Sequence, residues 1–475
     1  MRPTAHPLIR GTAGGGRRTA AYRVRPGAGS IRGPPAHRAA RGRSCGRGCG
    51  YCGGIMSTSP KGPIEVPPGH LDVPSTPPLD DSQLPKVSII ILNWNGRHHL
   101  PGCFESLGAL DYPEALYRIH LIDNGSDDGS VELIRRDFSN VELHQNDRNL
   151  GFSRGCNQGS ELAQDDEILV FLNNDIRVDT SFLRRLVGPI VRGQCEATTA
   201  KMLSWDGQRI NSAGGGMNFH GIGIQRGYEE ELAETYDQAR LSLFACGGAM
   251  AMDAEVFKEV GRFDEEFFAY YEDVDLGWRT WVMGYSIRYV PEAVCYHHHS
   301  STSGRVPTER LRVLQVRNPL LACFKNYDDV NLVRILPSML ALATRRCYLA
   351  SGLGDAPDYR IENMCSLPSG SWLGRCWSAL KARLTGVQSL PPVAAADLVA
   401  INDLVGRWEH WSARRADVQG KRRRSDEEIL RLFLHPMWCI EQESGYRELH
   451  EGLAKFAGLE EIFAGLTHLE HEPRS

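Results

Sequence analysis

The sequence has no apolar run of the roughly 18 residues that a membrane-spanning helix needs. The longest candidate, residues 332–343, is interrupted by Arg334 and Pro337. The N-terminus lacks the continuous apolar core of a secretory signal. There is no Gly-Lys-Ser/Thr phosphate loop, and no GxGxxG follows the first strand, which sets aside a P-loop ATPase and a dinucleotide oxidoreductase. Cysteine pairs at disulfide-framework spacing are missing too. Most of the 13 Cys stand singly in apolar stretches, as Cys103, Cys156, Cys246 and Cys323 do. That usage points to reduced, buried thiols and a cytoplasmic protein.

Residues 1–55 contain no Asp, Glu or Lys but 11 Arg, with abundant Gly, Pro and Ala and no hydrophobic period. This is a disordered composition. It reads as a basic arm able to touch anionic lipid or, preferably, as a start assigned too early, with Met56 the first residue. Cys45, Cys49 and Cys52 have an iron–sulfur-like spacing, but nothing around them can pack to hold a cluster. The remaining chain sets 43 basic against 58 acidic residues, a balance that argues against nucleic-acid binding. Residues 56–84, rich in Pro and Ser, read as a linker.

Order begins at Val87. The apolar run 87–92 fits a parallel strand buried on both faces. Leu100, Cys103, Phe104 and Leu107 then mark one face of a helix. Strands follow at 119–122, 141–143 and 168–172, with helices after 131 and 183. This β-α-β-α order predicts an α/β fold with a doubly wound sheet over 85–305, followed by a mainly helical region over 306–475. Ligands of such sheets bind beyond the carboxyl ends of the strands. Three of those ends carry Asn or Asp: Asn93 and Asn95, Asp123, and Asn173-Asn174-Asp175. Each alone suits a turn or helix cap; three together point to a site.

Phe263 to Asp275 mixes acidic and aromatic side chains densely. Aromatic walls exclude water, and a carboxylate among them can act as a base, here Asp273 beside Glu272. The blander reading is an acidic helix start after an aromatic core patch. The glycines at 214–216 and 247–248 permit close backbone approach. Of His297, His298 and His299, an extended segment can turn only one inward as a ligand; a solvated polar loop is the alternative for His297. A strand-end acid such as Asp175 suits Mg²⁺, which takes one or two carboxylates and completes its shell with phosphate and water.

These motifs together resemble family 2 glycosyltransferases, nearest to the rhamnosyltransferase-like branch that acts on bacterial cell-surface polysaccharides. The resemblance rests on 87–96, Asp123-Asn124-Gly125-Ser126 with Asp128-Gly129, Asn149 with Gly151-Phe152 and Asn157, Asn173-Asn174-Asp175, and Glu272-Asp273 with Arg279. It covers about residues 86–305, with Arg317-Asn318 similar as well. It implies a GT-A fold and an inverting transfer from a dTDP- or UDP-linked sugar, rhamnose favoured, to a hydroxyl of a glycan or lipid-linked acceptor. It also implies Mg²⁺ or Mn²⁺. By position, Asp123 matches the nucleobase-binding Asp, Asp175 the metal-binding acid, Asp273 the base, and His297 a late His near the diphosphate. Asn93, Asn95, Asn149, Asn157, Asn173, Asn174 and Arg279 join the expected nucleotide-sugar contacts. The first acid of the metal motif is here Asn173.

Two other classes compete. A nucleotidyltransferase would need a Gly-rich loop with Lys or Arg after the first strand, which Asn93-Trp94-Asn95-Gly96 does not supply. A non-catalytic nucleotide-sugar-binding protein would not need the whole motif set. Arg414, Arg415 and 421–424 form a basic cluster that suits either peripheral contact with the inner face of a membrane or a charged solvated face.

Overall fold

Val87 to Asn93 is buried at almost every position, because strands pair with it on both sides and helices cover both faces. In this computed structural model residues 71–163, 167–298, 308–351, 391–437, 444–464 and 466 are described. The strands are β1 (Val87–Asn93), β2 (Tyr117–Asp123), β3 (Val141–Gln145), β4 (Ile168–Asn173), β5 (Ile176–Val178) and β6 (Ala197–Ser204). They continue as β7 (Ile210–Ser212), β8 (Gly215–Met217), β9 (Gly223–Gln225), β10 (Arg240–Leu241), β11 (Ala249–Asp253) and β12 (Ile287–His297). The helices of this half are α1 (Leu100–Gly108), α2 (Ser130–Asp137), α3 (Phe152–Leu162), α4 (Phe182–Val191), α5 (Ala254–Glu259) and α6 (Glu272–Val282).

The main sheet runs β10-β12-β6-β11-β4-β1-β2-β3, with β5 on β12 and β7 on β6. β1 to β4 are mutually parallel, β11 is antiparallel between β4 and β6, and β12 is parallel to β6. This is the expected mixed, doubly wound sheet. Ile90 and Ile122 belong to the core on the α3 face, Ile89, Ile91, Ile119 and Leu121 to the core on the other. Full burial of each such side chain is worth about 1.5–3 kcal/mol. The register of β12 shifts between Val290 and Val294, which accommodates Pro291 and its missing donor.

Pro60–Ser475 is one compact unit. The Arg-rich 1–55 and most of the expected linker lie outside the described residues. From Leu71 onward that linker is packed chain: Leu71, Leu79 and Leu84 are buried, and Leu71 and Val73 exchange backbone hydrogen bonds with the β10 segment.

The C-terminal half is helical, as expected: α7 (Thr308–Asn326), α8 (Asp329–Ser351), α9 (Pro392–Gly406), α10 (Trp408–Gly420), α11 (Asp426–Leu430), α12 (Ser444–Phe456) and α13 (Leu459–Phe463). α7 packs on α6, α9 and α10. Within the basic cluster Arg415, Arg422 and Arg424 face inward, while Arg414, Lys421 and Arg423 are about half exposed. Arg415 donates to the Phe324 and Tyr327 carbonyls at 2.6 Å, and Arg424 to the Gly284 and Tyr285 carbonyls at 3.0 and 2.7 Å. Arg414 pairs with Asp264 at 2.7 Å and Arg422 with Asp426 at 2.9 Å. Arg415, Arg422 and Arg424 therefore do not offer their charge to a surface. They staple α10 and the turn after it to α6 and α7, since helix ends and chain reversals leave carbonyls that planar guanidinium groups can satisfy.

Candidate active site

At the carboxyl ends of β1 and β4 lies a cavity of about 450 Å³. Its floor is the turn between β4 and β5. Asp175 sits there, 6% exposed, with one oxygen 3.2 Å from His297 Nε2. His297 ends β12 opposite Ile176, and the next amide, of His298, donates to the Asp175 carbonyl at 3.1 Å. The other ring nitrogen of His297 lies 3.0 Å from the side-chain oxygen (Oδ1) of Asn211. In the tautomer that donates Nδ1–H to Asn211, Nε2 presents its lone pair beside the carboxylate, and the two can share one cation. Their spacing is that of neighbouring ligands about 2.0–2.2 Å from one cation. A carboxylate and an imidazole thus fit a divalent ion here.

Across the cavity α6 begins. Asp273 accepts from the Gly247 amide at 3.0 Å and from the Val274 amide at 2.8 Å. Both bonds and the helix N-terminus favour the anion, while burial pushes its pKa up from the ordinary value. Glu272 is pushed up much further, by burial and then by the Asp273 charge. Its Oε2 is buried without a hydrogen bond within the protein. Of the pair, Glu272 is the one pushed further toward holding its proton and Asp273 the one whose anion two amides stabilise. Burial and then the Asp273 charge also push the Cys246 thiol and the Tyr271 hydroxyl up to about 12. The glycines at 247–248 do bring backbone close, as their sequence suggested.

The segment 267–271 walls this side. The Ala269 amide donates to the Phe267 carbonyl at 2.7 Å, closing a three-residue turn on Phe268 with φ 62° and ψ −63°. Tyr270 and Tyr271 also have positive φ, 69° and 66°. Three such residues without glycine are strained backbone, at about 1–3 kcal/mol each. Asn318 on α7 holds the turn, donating to the Phe267, Ala269 and Tyr270 carbonyls at 2.9, 3.0 and 2.8 Å.

The structure brings Asn149, Asn173, Asn174, Asp175, Glu272, Asp273 and His297 to one cavity. Five other expected residues are not among its walls. Asp123 is fully buried, one oxygen taken by Asn93 at 2.8 Å and the other by the Ser126 amide at 2.9 Å. Asn93 in turn accepts from Asn174 at 2.7 Å, so it ties three strand ends together. Asn95 takes the Asp127 amide at 2.8 Å, and Asn157 holds the Phe263 backbone. Arg279 is buried against Asp275 at 2.9 Å and the Arg262 carbonyl at 2.7 Å. Trp94, Asn124, Gln225 and Leu311 are cavity walls that sequence reasoning did not single out. For Asn124 a signal existed: it follows Asp123 directly, and side chains alternate at a strand end, so one of the two faces away from the other. Among the described residues, the group of three or more His, Cys, Asp or Glu within mutual ligating reach is His120, Glu142 and His144, none of which lines the cavity.

Residues 88–261 match the sequence profile of glycosyl transferase family 2. This stretch is a family 2 glycosyltransferase domain. A curated relative, the N-acetylglucosaminyl-diphospho-decaprenol L-rhamnosyltransferase of Mycobacterium tuberculosis, is 29% identical over 248 residues, 47% of this chain and 79% of its own. A low-salt glycan biosynthesis hexosyltransferase of Haloferax volcanii is 23% identical over 253 residues, 51% of this chain and 77% of its own. Among solved structures, GalNAc-T7 with UDP, GalNAc and Mn²⁺ aligns at 18% identity with a TM-score of 0.42, over 58% of this chain and 54% of that one. The mixed, doubly wound sheet that the sequence predicted spans this domain. The matched span ends before Glu272, so α6 and its acids come from the chain beyond it.

Proposed function

We propose that this glycosyltransferase is inverting and dependent on a divalent cation. Its donor is a dTDP- or UDP-linked sugar, with rhamnose the first candidate. Its acceptor is a hydroxyl of a lipid-linked or growing cell-surface glycan; the mycobacterial relative is named for a diphospho-decaprenol-linked sugar. The observation that carries the reading is one cavity walled on one side by Asp273, held as an anion by two amides, and on the other by Asp175 beside His297.

In this reading Asp273 takes the proton of the acceptor hydroxyl as its oxygen bonds to the anomeric carbon. The bond from that carbon to the diphosphate breaks on the opposite face, and its electron pair leaves with the diphosphate. Proton removal of this kind is worth about 10²–10⁴ in rate. Asp175 and His297 would hold Mg²⁺ or Mn²⁺, which when bound would supply positive charge for the departing diphosphate. Asn149, Asn173 and Asn174 offer amides to the donor, and Asn124 and Trp94 flank it. Asn93, Asn95, Asp123, Asn157 and Arg279 act at one remove, fixing the strand ends and the turn that carry those groups. Phe268, Tyr270 and Tyr271 wall the acceptor side.

No helix among the described residues is long and apolar enough to cross a membrane. We assign the reaction to the cytoplasm, at the inner membrane face, with the acceptor lipid rather than the basic cluster making the contact. The test is thermal shift of the full chain against dTDP-rhamnose and UDP-sugars, each with and without Mg²⁺ or Mn²⁺. A ligand at a hundred times its dissociation constant stabilises by about 2.7 kcal/mol. A true donor raises the melting temperature only with the cation; no shift by any nucleotide sugar sinks the reading.

A further inference from the structure

The first three parallel strands carry a second group of ligand-type side chains. His120 on β2 stands opposite Glu142 on β3, and Ile122 opposite His144. Side chains alternate along a strand, so His120, Glu142 and His144 emerge on one face. Ile90 and Ile122 assign it to the core on the α3 side. One ligating atom from each of the three lies within 4.8 Å of the others.

We propose that this triad is a binding site for a divalent transition-metal cation of the zinc class, separate from the cavity at Asp175. Two imidazoles and one carboxylate are a donor set zinc favours. Ligands on a tetrahedral zinc with bonds of about 2.0–2.1 Å stand about 3.3 Å apart; His120 Nδ1 and Glu142 Oε2 are 3.2 Å apart. Ser88 Oγ lies 3.1 Å from His120 Nε2, the outer partner that fixes a ligating ring. His144 Nε2 is buried and makes no hydrogen bond within the protein, a cost that a ligand would remove. The Glu142 side chain is 49% exposed, so an ion and a fourth ligand, water, reach the site from solvent. Bound there, the cation ties β3 to β2. Among the described residues β3 is the edge strand of the sheet.

The experiment uses the full chain carrying Asp175→Ala, which removes the carboxylate of the other candidate site. Calorimetric titration with Zn²⁺, and optical titration with Co²⁺, compare this protein with the same protein also carrying Glu142→Gln or His144→Ala. Both added substitutions are at incompletely buried positions, and circular dichroism checks that each protein folds. The expected result is the loss of one Zn²⁺ equivalent, or at least tenfold weaker binding at it, with either added substitution. The lost Co²⁺ spectrum should be tetrahedral and free of thiolate charge transfer, which separates it from binding at cysteines. Equal stoichiometry and affinity in all three proteins overturns the proposal, as does a lost signal of thiolate type.

Discussion

The side-chain amide of Asn318 donates to the backbone carbonyl of Tyr270 at 2.8 Å, two residues before Glu272. One helix of the C-terminal half thereby fixes the strained turn that leads into α6. Asn318→Asp puts a carboxylate against three carbonyl oxygens and should release that turn. Misplacing a reacting group by about 1 Å can cost about 10²-fold, and we expect a loss of that order in turnover. Asn173, Asn174 and Asp175 lie on β4 and the turn after it, so donor affinity should stay within about twofold. Turnover measured alongside donor binding checks this; an equal loss in both would mean that the substitution disturbs the whole domain.

The Glu272–Asp273 pair predicts a particular pH profile. Asp273 must be ionised to act, so turnover should fall as pH falls through its pKa, which burial has moved above 3.8. Glu272 is moved further and stays neutral through that range. Glu272→Gln should therefore leave the acidic limb where it is and remove an alkaline fall caused by a second buried charge. Asp273→Asn should lower turnover by about 10²–10⁴ with nucleotide binding kept. An acidic limb that moves with Glu272→Gln would reverse the assignment of base and neutral acid.

Asp175→Ala should abolish the effect of Mg²⁺ or Mn²⁺ on donor affinity, and His297→Ala should weaken it. Calorimetry with UDP or dTDP, with and without the cation, is the direct measurement. Cation dependence unchanged in Asp175→Ala would remove this residue from the metal role.

How much of this was readable beforehand follows a physical divide. Strands buried on both faces announce themselves as short apolar runs, and 87–92, 119–122 and 168–172 became β1, β2 and β4. Asp175, Asp273 and His297, expected from the sequence, line one cavity. Asn93, Asp123 and Arg279 do not line it: a polar residue at a strand end is equally what a buried network needs, and each of these three is held in one. The inward half of the basic cluster from Arg414 to Arg424 was hidden for a related reason. Arg415 and Arg424 donate to backbone carbonyls, which leave no trace in side-chain patterns.

Lys325 illustrates that hidden class and yields the last prediction. Its ammonium is 2.6 Å from Asp264 and 2.9 Å from Asp275, with all three side chains buried. Burial alone would raise the Asp264 pKa, but Lys325 and Arg414 outweigh it and hold the carboxyl well below its usual 3.8. The contribution of Asp264 to stability is therefore present above that ordinary value and is lost as pH falls toward the depressed one. Lys325→Met removes the shared cation and leaves Asp264 to Arg414 and Asp275 to Arg279 alone, at a cost of about 3–5 kcal/mol. Because Asp264 then loses the largest charge that lowers its pKa, the variant should lose less stability than the wild-type protein as pH falls. Urea unfolding at neutral and acidic pH measures both losses. Parallel pH dependences in the two proteins would mean that Lys325 only fills space between α6 and α7.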